Sequence, residues 1–67
     1  MVQSGDSVQF RGGVIPEQVK WSGADYPSDL VIGQMYVVET ADIRFHYTNI
    51  TLVGVPGKFN LVNFQLM

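Results

Sequence analysis

Cysteine is absent from this 67-residue chain. That excludes a disulfide framework and any thiolate metal site, and it fits a reducing compartment. Charge is scarce, at 15% of residues. The basic residues are Arg11, Lys20, Arg44 and Lys58, scattered along the chain against six acidic residues, for a formal net charge of −2. Non-specific nucleic-acid binding needs clustered Lys and Arg to displace counterions, so this balance argues against nucleic acid as a partner. The acidic residues are too few to imitate a phosphate lattice. No apolar run reaches the roughly 18 residues a membrane-spanning helix needs, so no membrane role is expected. Residues 1–6 lack the basic and apolar regions of a signal peptide, and the expected location is the cytoplasm. No segment carries a helical stripe over three turns. The best helical candidate, residues 16–21, is one turn long and stops at Ser22-Gly23.

What the chain does have is apolar residues, at 46%, and a strand-and-turn vocabulary. Val, Ile, Phe and Tyr are punctuated by Gly, Pro, Asn and Asp. Residues 7–11 alternate, with Val8 and Phe10 on one face and Ser7, Gln9 and Arg11 on the other. Gly12-Gly13 stops or bends this strand. A long irregular stretch follows to residue 29, and a loop of that length in a small domain is often functional. The next strand, residues 34–39, is apolar on both faces, Met35 and Val37 on one and Tyr36 and Val38 on the other. That pattern predicts a central strand covered on both sides. Thr40-Ala41-Asp42 reads as a turn. Between residues 43 and 53 the apolar phase shifts, from odd positions at Phe45 and Tyr47 to even ones at Ile50 and Leu52. One regular strand cannot hold both pairs against one core. A wide hairpin tip over residues 41–47 followed by a strand over 48–53 resolves the conflict. Gly54-Val55-Pro56-Gly57 reads as a turn, residues 58–60 as a short strand, residues 61–63 as a corner with one 3₁₀ turn, and residues 64–67 as the closing strand.

Five short strands in a single domain spanning residues 1–67 must curl to bury one core. The expected fold is all-β: a small, five-stranded, partly open SH3-like barrel with a long first loop and a short 3₁₀ corner before the last strand. Its predicted core is Val8, Phe10, Leu30, Tyr36, Val38, Ile50, Leu52, Phe59 and Phe64. A domain this small buries only about 60% of the surface of its unfolded chain, so its stability is marginal.

Two stretches resemble a group of small phage- and prophage-encoded SH3-like proteins. Residues 30–38, Leu-Val-Ile-Gly-Gln-Met-Tyr-Val-Val, are similar to the group's L-x-x-G-K-x-Y-x-V run into the second strand. Residues 50–60, with Asn63-Phe64 beyond them, are similar to its G-x-x-G-x-F turn and closing R/N-F-E. Gln34 stands where the group has Lys, and Gln65 where it has an acid. The resemblance covers roughly the C-terminal half and implies the barrel fold and a phage origin, hence the cytosol of a host cell. The group mostly lacks a known activity. Some very small phage proteins act by binding and inhibiting host enzymes or defence systems, and a role in host takeover or anti-defence is the corresponding expectation.

Candidate chemistry is sparse. His46 is the only histidine, and although Ser and Asp residues exist for a triad, no nucleophile elbow accompanies them. A surface His on a hairpin tip is the plainer reading, and the chain is expected not to be an enzyme. Asp25 and Asp29 place two carboxylates four residues apart. A hard cation takes six to eight oxygens, so local side-chain-to-backbone turn bonds are the better account. Gly12-Gly13 lacks the spacing, Lys and helix of a phosphate loop, and no cofactor is expected.

The aromatics carry most of the functional signal. Trp21 and Tyr26 fall in the long loop and Tyr47 near the hairpin tip, and in SH3-like barrels these two regions flank one groove. Trp and Tyr dominate interface hot spots and can hold an extended Pro-rich segment. The candidate protein-binding residues are therefore Trp21, Tyr26, Tyr47, Asp25, Asp29 and His46, with an unidentified host or phage protein as partner. Trp21 has two alternatives, interface or plug at one end of the barrel. The last strand has two as well: pairing with the first strand to close the barrel, or pairing with another chain to form a homodimer or a partner complex. Three functions follow, in this order: a protein-binding module, a nucleic-acid-binding barrel using the four cations and stacked aromatics, and an enzyme acting through His46.

Overall fold

A computed structural model describes residues 2–13, 21, 23–25, 27 and 30–67. Their five strands are β1 (Ser7–Phe10), β2 (Met35–Ile43), β3 (Thr48–Leu52), β4 (Val55–Asn60) and β5 (Phe64–Leu66), with a 3₁₀ turn, Leu61–Asn63, before the last. Every pairing is antiparallel, in the order β4-β3-β2-β1-β5, and the sheet does not close. β2 serves two halves. Its start pairs with β1, which pairs with β5, and its remainder pairs with β3, which pairs with β4. The result is the expected partly open SH3-like barrel. The short one-turn helix and the other expectations for residues 14–20, 22, 26, 28 and 29 lie outside the described residues.

Alternation explains the core. Val8 and Phe10 point inward from β1, Val38 from β2, Ile50 and Leu52 from β3, Phe59 from β4 and Phe64 from β5, all buried. Phe10 and Phe64 are register partners across β1 and β5, with ring centroids 5.3 Å apart, a cross-strand aromatic pair. Leu30 and Tyr36 pack against this cluster while only partly buried. Val2, which the pattern did not single out, completes it at 6% exposure.

Three expectations need correction. Thr40-Ala41-Asp42 is not a turn: β2 runs through it to Ile43, because a bulge between Val38 and Thr40 resets the register. Thr40 is held in the ladder by the side chain of its partner, its N–H bonding Thr51 Oγ1 at 3.1 Å and the two hydroxyls lying 2.6 Å apart. The turn predicted at residues 54–57 is tighter, Leu52 facing Val55 across Val53-Gly54. Gly54, at φ +78°, supplies the left-handed residue that this turn requires. Pro56 and Gly57 then form an irregularity within β4, which an edge strand tolerates. Finally, β2 is central in the sheet but covered on one side only, since Met35 and Val37 are 45% and 44% exposed. The last strand pairs with β1 within the chain.

Gly12 marks a close approach. Its φ is +75°, and a Cβ there would meet Ile32 Cδ1 at 2.9 Å, so the exit from β1 and the approach to β2 pack through a missing side chain.

A domain of this size is stabilised by roughly 3–10 kcal/mol, at about 0.05–0.15 kcal/mol per residue. Ile50→Ala should cost about 2–5 kcal/mol, a large part of that total, whereas Phe45→Ala at the exposed tip should stay within about 0.5 kcal/mol. Urea titration followed by circular dichroism checks both; an unshifted midpoint for Ile50→Ala would refute the core assignment.

Candidate protein-binding groove

The β2–β3 hairpin ends in a short, fixed tip. The Arg44 N–H bonds the Tyr47 carbonyl at 2.8 Å, and Arg44 Nε reaches Asp42 Oδ1 at 2.9 Å. Both charged partners are well exposed, so the ion pair contributes about 0–1 kcal/mol; its geometric effect is to hold the arginine along the hairpin. Phe45 and His46 occupy the turn itself, and Phe45 is 95% exposed.

Trp21, from the long first loop, lies against this tip. Its ring meets Tyr47 edge-on with centroids 5.1 Å apart and His46 at 6.1 Å. His46 in turn meets Phe45 at 4.6 Å. These tilted, edge-directed contacts match the quadrupole of aromatic rings. Trp21 remains 63% exposed; it does not plug the barrel.

Trp21, His46 and Tyr47 form one wall of a groove of about 390 Å³, and Thr48, Asn60, Leu61 and Val62 complete it. The 3₁₀ turn supplies the opposite wall. Asn60 caps that turn, its side-chain oxygen accepting the Val62 N–H at 3.1 Å, which leaves Val62 turned outward at 63% exposure. Apart from His46 the lining holds no ionisable group other than the Tyr47 phenol. Of the described cations, Arg44 is paired with Asp42 and Arg11 with the Gln65 side chain, and neither they nor Lys58 line the groove.

The predicted site residues thus separate. Trp21, His46 and Tyr47 come together. Asp25 stands apart from the lining and clamps the first loop to β4: its N–H bonds the Lys58 carbonyl at 2.6 Å, and its carboxylate accepts the Lys58 N–H at 2.9 Å. Tyr26 and Asp29 lie outside the described residues. Sequence reasoning missed Phe45, Thr48, Asn60, Leu61 and Val62. The Asn residues on either side of Leu61-Val62 mark a capped turn, but not that Leu61 packs partly against the core while Val62 turns outward.

No family model, curated protein or solved structure matches this chain. Among the described residues, no three His, Cys, Asp or Glu side chains group as a metal site, and no helix is long and apolar enough to cross a membrane.

The clamp makes a separate prediction. Asp25→Ala should destabilise the domain by about 1 kcal/mol, the worth of a hydrogen bond to an exposed charged group, while Asp25→Asn, which keeps the acceptor, should recover most of it. An Asp25→Ala midpoint equal to that of wild type would show that the Lys58 bond contributes nothing.

Proposed function

We propose that this chain is a protein-binding module that takes an extended, apolar segment of a partner protein into the groove between Trp21 and the 3₁₀ turn. The observation that carries the reading is the exposure of the only tryptophan. Trp21 is held edge-on against Tyr47 and His46 yet leaves most of its surface in water. Such a ring is a preorganised anchor, large in area and low in entropy cost on binding. The lining favours an uncharged ligand, with Leu61 and Val62 for apolar contact and Asn60 and Thr48 as polar neighbours. The resemblance to small phage proteins extends the proposal to a host or phage protein as partner. Seizing a host enzyme or a defence protein would make the module an inhibitor acting in the host cytosol.

A second reading is supported by one feature, the row of rings from Phe45 through His46 and Trp21 to Tyr47. Bases stack on such rows. Single-strand binders also place cations along the backbone track, however, and the described cations lie outside the groove lining. An enzyme acting through His46 ranks third, since the ring's neighbours are aromatic.

Panning a random peptide library against the immobilised chain, then titrating the selected peptides by calorimetry, tests the proposal. Trp21→Ala should weaken binding by about 30-fold or more, a hot-spot loss of about 2 kcal/mol, with an unchanged circular dichroism spectrum. Unchanged affinity in a folded Trp21→Ala, Tyr47→Ala double variant would refute the groove. Displacement by single-stranded DNA together with a steep salt dependence would favour the second reading.

A further inference from the structure

The groove leaves one strong sequence signal unused. β2 is apolar on both faces, and only the face bearing Val38 is covered. On the other face Met35 and Val37 stand next to each other along the strand, and Val53 joins them, its N–H bonding the Val37 carbonyl at 2.9 Å. Register extends this face across two more strands: Ser7 faces Val37, Gln9 faces Met35, and Gln65 faces Gln9. No residue in this stretch is charged.

The charges sit at its two ends, with opposite sign. Arg11 follows the alternation of Ser7 and Gln9 and bonds the Gln65 side chain, which places its guanidinium at one end of the face. Glu39 follows Met35 and Val37 and lies 3.4 Å from the hydroxyl of Thr51, which places its carboxylate at the other. Six residues of strand separate the two positions, about 20 Å at 3.3 Å per residue. A two-fold axis lying in the plane of this face, across the strands at its centre, brings a second copy face to face and sets Arg11 of each copy within about one strand spacing, about 4.8 Å, of Glu39 of the other. Met35 and Val37 of the two copies then meet around the axis.

From this self-complementarity we infer that the outer face of β5, β1 and β2 is an isologous interface between two copies of this chain. An isologous contact requires each half of a patch to complement the other half, and a neutral apolar centre between opposite charges meets that requirement. Three strands spaced about 4.8 Å apart over about 20 Å give a footprint of roughly 300 Å² per copy. That falls short of the roughly 800 Å² per partner of stable complexes, so the dimer dissociates at micromolar to millimolar concentration. The face shares no residue with the groove, so dimerisation and partner binding are separate properties. Two copies would present two grooves, and a partner with two target segments would gain avidity.

Sedimentation equilibrium of the full chain, from micromolar to millimolar concentration at low salt, tests the inference. Wild type should show a concentration-dependent monomer–dimer equilibrium. Val37→Lys, which puts a charge at the centre, should weaken it by about tenfold or more, and Glu39→Arg by a few-fold, the scale of two exposed ion pairs. Combining Arg11→Glu with Glu39→Arg should restore it, a rescue that a merely destabilised variant would not show. Trp21→Ala should leave it unchanged. A chain monomeric throughout would overturn the proposal. So would a dimer indifferent to Val37→Lys and to charge reversal, which would place self-association elsewhere, with the free edge of β5 the first surface to examine.

Discussion

The bulge in β2 is the constraint on which the rest of the barrel depends. A single strand has to belong to two sheet halves, and strict alternation would turn its inward side chains out of phase with β3. Val38 pairs with Leu52, and the next inward pair is Ala41 with Ile50. Three steps on β2 therefore match two on β3. The extra residue leaves both Glu39 and Thr40 outside, where Thr40 meets Thr51, and it keeps Val38, Leu52 and Ile50 in one core. Without it, a one-residue slip would send one of these pairs to the surface. The bulge also adds twist, which bends a five-stranded sheet far enough to wrap the eight apolar side chains that are buried among the described residues.

Much of this was legible in the sequence because alternation is a local signal. The inward set of β1, β3 and β5 follows from period two, and the phase shift between Phe45 and Ile50 correctly required a break in the hairpin. The length of β2 was not legible. Thr40-Ala41-Asp42 has the composition of a turn, and only the partner strand, through Thr51, shows that the segment stays in the ladder. Val2 was missed for a similar reason: one apolar residue has no periodicity, and its burial depends on the sheet around it. In the groove, the aromatic positions were readable from composition and loop position. Leu61 and Val62 were not, because which of the two packs partly against the core and which turns outward follows from how Asn60 caps the turn.

The tip and the first loop show how a small barrel presents aromatic surface without floppiness. Long side chains on a mobile loop would lose entropy on binding. Here the Arg44–Tyr47 backbone bond fixes the turn, the Asp25–Lys58 bonds fix one point of the loop on β4, and Trp21 lies against both Tyr47 and His46. The Asp25 clamp has a second effect. It occupies both outward-facing backbone groups of Lys58 on an edge strand, which interrupts the row of unpaired groups that invites edge-to-edge association.

Surface-to-volume scaling explains why two apolar surfaces remain. At 67 residues and 46% apolar composition, the chain has more large apolar side chains than its interior can hold. Scattered exposed apolar residues would need no explanation, since most protein surface is apolar by area. These are grouped. Trp21 and Val62 border the groove, with Phe45 reached through His46, while Met35, Val37 and Val53 share the outer face of the sheet. Charge sharpens the difference between the two groups. The groove has aromatic walls and polar neighbours suited to a foreign segment, whereas the sheet face is neutral at its centre and carries opposite charges at its ends. A surface of the first kind is specific through the shape of what enters it; one of the second kind is complementary to itself.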